Sequence, residues 1–172
     1  VPFPPKSPAS GIGDTSFHPV VWYSRTFVVV PEDADKRILL HCGAVDYRAR
    51  VWVNGQLVAL HEGGHTPFGA DITAALRPSG AQVLVIRAED RPEDLAQPRG
   101  TGIWQPVWLE PVAPTHIASV RWTPDAARGM IGMALHLQRP DGDATPVRVR
   151  IQFRLRGMLL LDDTCLAHGA AL

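Results

Sequence analysis

The chain has 172 residues, 17 basic against 17 acidic, for a formal net charge of +0. That balance gives no electrostatic case for nucleic acid or an anionic membrane as partner. With 45% hydrophobic residues and no apolar run near the ~18 residues of a membrane span, the composition is that of a globular chain holding one domain or one plus part of another.

The first residues, Val1-Pro2-Phe3-Pro4-Pro5, lack the charged n-region and apolar h-region of a signal peptide. They also lack a starting Met, so the native start lies upstream or was removed. With four Pro and two Gly, Val1–Gly13 predicts an extended arm. Val20–Val30 is rich in β-branched and aromatic residues and predicts a strand ending at Pro31-Glu32-Asp33. Arg37–His41 predicts the next strand. The two cysteines, Cys42 and Cys165, are too few for a disulfide framework at this size. Cys42 lies in the apolar run Ile38–Gly43 and reads as a buried free thiol. Cytoplasm is the expected compartment, with periplasm or secretion as alternatives.

Val51-Trp52-Val53, Asn54-Gly55 and Gln56–Leu60 read as strand, turn, strand. Asn-Gly between apolar alternating runs is the strongest short hairpin signal, because both turn positions need positive φ. The hairpin runs into His61-Glu62-Gly63-Gly64-His65, which matches the H-E-x-x-H zinc signature. That signature works only on a helix, where the two His share one face and the Glu acts as general base. Two central Gly, each costing ~1 kcal/mol in a helix interior, and Pro67 shortly after argue against a helix. The block therefore reads as a loop, with His61, Glu62 and His65 bonding to backbone and no metal held.

Asp71–Leu76 is the one helix-like turn, with Asp71 as a candidate N-cap. Val83–Ala88 and Trp104–Glu110 predict further strands. Pro111–Pro114 reads as a boundary. Beyond it, Ala118, Val120 and Trp122 share a face, and Ile131, Met133, Leu135 and Leu137 repeat the alternation. In Val147–Arg156 the residues Val147, Val149, Ile151, Phe153 and Leu155 face one way; four Arg and Gln152 face the other. That period of two is a half-buried strand, and the Arg row reads as a solvated sheet face. Many short strands with few helices predict an all-β sandwich.

Several of these segments, in order, resemble the N-terminal region of glycoside hydrolase family 2, the β-galactosidase and β-glucuronidase family. They are Ser10-Gly11-Ile12, Val21–Phe27 (VWYSRTF), Leu39–Tyr47 (LLHCGAVDY), Val51–Gly55 (VWVNG), His61–Phe68 (HEGGHTPF), Asp71-Ile72-Thr73 and Gly102–Glu110 (GIWQPVWLE). The resemblance covers roughly residues 10–113 and implies a jelly-roll, galactose-binding-like sandwich over 1–113. A partial immunoglobulin-like β-sandwich over 114–172 would follow, then a TIM barrel outside this chain. An immunoglobulin-like sandwich takes about 100 residues and ~7 strands. The residues after Pro114 hold three or four strand candidates, so that domain is expected to be incomplete.

The resemblance puts the family's acid and nucleophile, two Glu, in the barrel, so no catalytic residue is assigned here. Asp162-Asp163 and Glu89-Asp90 are sequence neighbours, which point to opposite faces of a strand and so cannot flank one bond. Carbohydrate-contact candidates are Trp104, Arg99 and Asp90. Trp52 and Trp108 are further platform candidates, though core packing is the expected role of each Trp. Some family members carry an acidic residue six positions before the Gly of Gly102-Ile103; Ala96 stands there. Pro98-Arg99-Gly100 also runs into Gly102 with less intervening chain than the family usually has, which fits loop residues missing between Arg99 and Gly102. The implied role is a non-catalytic part of a glycosidase that shapes the substrate pocket; the alternative is an autonomous carbohydrate-binding module. The implied partner is a carbohydrate substrate bound by the full-length enzyme, with homo-oligomerisation left open and no cofactor called for. A structural adhesion-type sandwich has only the fold behind it.

Overall fold

A computed structural model describes residues 3–90 and 102–169. The chain divides into two compact units, Val1–Val112 and Ala113–Leu172. Both are built of antiparallel strands, and the only helical pieces among the described residues are short 3-10 turns.

The first unit contains β1 (Val20–Phe27), β2 (Arg37–Cys42), β3 (Val45–Asp46), β4 (Arg48–Val53), β5 (Gln56–Glu62), β6 (Phe68–Asp71), β7 (Gln82–Glu89), β8 (Gly102–Ile103) and β9 (Val107–Val112). One sheet has the order β1-β7-β4-β5, and the other β6-β2-β9. Strand alternation sends every second side chain inward. Ile38, Leu40 and Cys42 of β2 thereby meet Ala49, Val51 and Val53 of β4 and Ile86 and Ala88 of β7 in one buried cluster. Each fully buried Val, Ile or Leu contributes about 1.5–3 kcal/mol relative to an exposed one, so this interlayer is the main source of stability.

The chain passes from β2 in one sheet to β4 in the other through Cys42–Asp46, all of it buried. A buried crossing must satisfy its backbone polar groups internally. Gly43 N donates to Pro106 O at 2.9 Å, and Ala44 O accepts Trp104 N at 3.3 Å. Val45 and Asp46 pair with Ile103 and Gly102 as β3 and β8. Beyond the crossing, Tyr47 N donates to Glu89 O at 3.1 Å and Tyr47 O accepts Gly63 N at 2.9 Å.

Asn54 and Gly55 form the expected turn, with φ of 50° and 84°. Asn54 also ties three elements together. Its Nδ2 donates to Ala75 O at 2.9 Å and to Gln82 Oε1 at 2.7 Å, and its Oδ1 accepts Val83 N at 3.0 Å. Gln82 is 2% exposed, so those partners are shielded from water.

The second unit is two hairpins, β10 (His116–Asp125) with β11 (Met130–Gln138) and β12 (Val147–Leu155) with β13 (Met158–Ala167). They pack through Leu135, Leu137, Val149 and Ala167. Burial fades along each hairpin. Leu155 and Met158–Leu161 are exposed, as are Ile117, Val120, Met130 and Ile131.

The all-β sandwich reading therefore stands, with local differences. Val1–Gly13 is not simply extended: among its described residues, Pro8–Ser10 is a 3-10 turn capped by Ser7, and Asp14 N reaches Pro5 O at 3.1 Å. The expected strand Trp104–Glu110 starts at Val107, because Gly102-Ile103 is spent on β8 and the segment between bonds to the crossing. The helix-like turn is a 3-10 turn over Thr73–Ala75, and Asp71 ends β6. Its carboxylate still accepts Thr73 N at 2.9 Å, and it also accepts Arg37 Nε at 2.6 Å. Arg156 leaves the strand for a turn with Gly157, at φ of 49° and 84°. Cys42 and Cys165 are both free thiols.

Two outcomes are expected. Asn54→Ala strains a left-handed turn position and strips partners from three elements, lowering stability by about 2–3 kcal/mol. Asn54→Gly relieves the strain and costs less; urea midpoints at unchanged slope measure both. Burial pushes the Cys42 thiol up to about 12, and only the thiolate attacks alkylating agents. Iodoacetamide at mildly alkaline pH is expected to modify Cys165 and to spare Cys42 until denaturant is added, as read by peptide mass spectrometry.

Candidate functional site

The crossing, β8 and the Gly63-Gly64 turn converge at one end of the first unit, where β1 and β4 begin and β5 and β7 finish. The Trp104 indole Nε1 donates to Gly64 O at 2.7 Å, and the His65 ring meets the indole edge-on at 5.3 Å between centroids. Trp104 is half-buried, with both contacts made to the Gly64-His65 turn. Asp46 is 4% exposed and its carboxylate lies where a Cβ on Gly64 would stand. Gly64 is required there for space. Gly102, at φ 106°, is required for both space and backbone: a Cβ would overlap the Tyr23 hydroxyl. That hydroxyl accepts Ile103 N at 3.2 Å. Burial raises the Tyr23 phenol above its ordinary value and outweighs the Ile103 hydrogen bond, which lowers it.

Of the three contact candidates, Trp104 is placed as described. Asp90 follows β7, its N–H donating to Pro19 O at 2.9 Å, so it stands at the same end. Arg99, with Ala96 and the stretch before Gly102, lies outside the described residues.

The H-E-x-x-H block is strand and turn. His61 and Glu62 are consecutive in β5 and point to opposite sides. His61 stacks on Phe68 at 4.3 Å, with Nε2 3.2 Å from Gly63 O and 3.0 Å from the Thr66 hydroxyl. Glu62 accepts Arg48 Nε at 2.5 Å. His65 instead abuts Trp104. The helical geometry that a zinc site of this pattern needs is not formed, and among the described residues no three His, Cys, Asp or Glu are grouped to hold a metal ion.

The expectation of core packing fails for Trp52 and Trp108, because both occupy outward positions of their strands. Trp108 stacks on His41 at 5.0 Å on the outer face of the three-stranded sheet, where His41 Nε2 lies 2.8 Å from Glu110 Oε2. Trp52 stacks on Trp22 at 5.6 Å and 20° on the outer face of the four-stranded sheet. Trp22 is 61% exposed and was not among the sequence candidates. The signal was present: if Tyr23 and Phe27 face the core, Trp22 must face out.

A cleft of about 440 Å³ also opens between the edges of β1 and β9, lined by residues such as Tyr23, Phe27, Leu84, Ile103, Val107 and Leu109. Its walls are mainly apolar and offer few hydrogen-bonding partners, unlike a sugar-binding recess, which needs convergent polar groups. Among the described residues no helix is long and apolar enough to cross a membrane.

The family model for "Glycosyl hydrolases family 2, sugar binding domain" matches residues 11–109. A β-galactosidase of Thermoanaerobacter pseudethanolicus is 32% identical over 115 residues, covering 62% of this chain and 16% of the relative. A β-glucuronidase of Paenibacillus borealis is 29% identical over 159 residues, covering 76% of this chain and 26% of the relative. The crystal structure of a Bacteroides uniformis β-glucuronidase superposes with a TM-score of 0.69 at 20% identity, over 91% of this chain and 21% of its own. The chain therefore spans about a quarter or less of the length of these proteins. With its first unit matched almost from end to end, the chain belongs to glycosyl hydrolase family 2.

Proposed function

We propose that this chain is a non-catalytic N-terminal region of a family 2 glycosidase, acting on a β-galactoside or β-glucuronide through the full-length enzyme. Residues 1–113 are the jelly-roll sugar-binding domain, and 114–172 an incomplete immunoglobulin-like domain. The carrying observation is that the match falls on the family's sugar-binding region and takes in only 16% and 26% of the relatives' lengths. The carboxylates of the chain support the same reading. A retaining glycosidase flanks the scissile bond with two carboxyl groups about 5–5.5 Å apart. Asp162 and Asp163 are consecutive in β13, and Asp162 is engaged by Arg150, which together with Gln152 holds its carboxyl down to about 2. Glu89 is ion-paired with Arg87.

In this reading the loop end carries the substrate-facing work. Trp104 presents one wall of the pocket, held by Gly64 and His65, while Asp90 and Arg99 supply polar contacts. These groups position a sugar and perform no bond cleavage.

The 172-residue chain is expected to release no nitrophenol from 4-nitrophenyl β-D-glucuronide or β-D-galactoside above the uncatalysed rate; turnover by this polypeptide would overturn the proposal. In the full-length enzyme, Trp104→Ala is expected to lower kcat/KM about tenfold, the equivalent of ~1.4 kcal/mol, mainly through KM. An unchanged KM would remove Trp104 from the pocket wall.

A further inference from the structure

The two sheets of the first unit differ in width. Four strands, in the order β1-β7-β4-β5, face three, in the order β6-β2-β9. At one side β5 adjoins β6. At the other, β1 is left as the unmatched strand, and the cleft of about 440 Å³ opens there. Tyr23, Arg25 and Phe27 share the inner face of β1. The register sets Tyr23 opposite Ile86, and Arg25 opposite Leu84, which in turn stands opposite the buried Val53. Val107 and Leu109 of β9 line the cleft from the facing sheet.

The backbone of β9 is arranged to take a further strand. Gly43 N donates to Pro106 O, so Cys42 and Val107 are a pair whose own N–H and C=O groups point away from each other. Alternation then turns the backbone groups of Val107 and Leu109 to the free edge, and those of Trp108 and Glu110 to β2. Pro111, which has no N–H to donate, falls in the edge-facing set and ends the run of donors. The β1 edge is guarded differently. Arg25 places a charge on the inner face, a device that discourages a strand from adding there. Arg25 is exposed and makes no ion pair among the described residues. A strand laid along β9 would therefore cover Tyr23, Phe27 and Leu84, give Val107 and Leu109 their partners, and bring a side chain up to Arg25.

On the reading that this chain is part of a longer glycosidase, we propose that the cleft is the seat of one further β-strand. A segment of the full-length protein outside residues 1–172 supplies it, and it pairs with the β9 edge at Val107 and Leu109. The matched relatives extend far beyond the 16% and 26% of their lengths that this chain covers, so polypeptide is available for the purpose. The lining residues Val107 and Leu109, and Tyr23 and Phe27, recur with the even spacing of strands, which complements apolar side chains at alternate positions of the incoming strand. The unpaired Arg25 guanidinium calls for an acidic residue on that strand.

The test is amide hydrogen exchange, resolved to single residues by mass spectrometry of β9 peptides from the 172-residue chain and from the full-length protein. In the short chain the Val107 and Leu109 amides are expected to exchange freely. In the full-length protein they are expected to exchange at least about a hundredfold more slowly. The Trp108 and Glu110 amides, turned to β2, serve as protected controls in both. A photoreactive benzoylphenylalanine placed at Phe27 of the full-length protein is expected to crosslink to a segment outside residues 1–172 with apolar residues at alternate positions. Three results would overturn the proposal. One is fast exchange of Val107 and Leu109 in both proteins. A second is equal protection of both amides in the short chain, which would mean that the edge is covered within it or by a second copy. The last is a crosslink that falls inside residues 1–172 or joins two copies. The glycosidase reading fails separately: a full-length protein that protects the two amides but hydrolyses no glycoside would remove that reading and leave the strand seat in place.

Discussion

The first unit depends on the buried crossing at Cys42–Asp46. A sandwich needs its chain to pass from one sheet to the other, and a buried passage carries backbone groups that water cannot reach. Here the residues from Gly102 to Pro106 satisfy them, partly as the two-residue β8 and partly through Trp104 and Pro106. The same demand brings Trp104, Gly64, Asp46 and Tyr23 together. The candidate site is therefore a by-product of closing the sandwich, and its glycines are spatial requirements set by neighbouring side chains.

Energetics separate what holds the unit from what it displays. The interlayer of Ile, Leu, Val and Ala supplies the stability, whereas exposed ion pairs such as Arg48–Glu62 are screened by solvent and add little. Such surface pairs are accordingly free to vary without unfolding the sheet.

Much of the fold was legible in the sequence where periodicity was unbroken. Asn54-Gly55 fixed one hairpin, and the alternation in Val147–Leu155 fixed the inward face of another. Elements whose composition opposes strand formation were missed. β6 contains Gly and Asp, β8 is two residues long, and β13 begins with the unbroken apolar run Met158–Leu161, which carries no period. The Trp positions were misjudged for a related reason. Val20–Phe27 is so rich in aromatic and branched residues that composition hid the outward-facing Trp22. Trp104 was read as strand because nothing local reveals that its partners are Ala44 and Gly64, about 60 and 40 positions earlier. The roles of Asn54 beyond its turn were likewise tertiary: Ala75, Gln82 and Val83 lie far along the chain.

The exposed run Met158–Leu161 has a practical side. It occupies the first residues of β13, which among the described residues pairs with β12 alone, leaving the other edge of a strand rich in Met and Leu unpaired there. Such an edge is a template for pairing with another molecule, and natural sheets blunt it with charge. A lysine at Leu160 would serve as a gatekeeper at little cost to the packed end of the hairpin, where Val149 and Ala167 are buried.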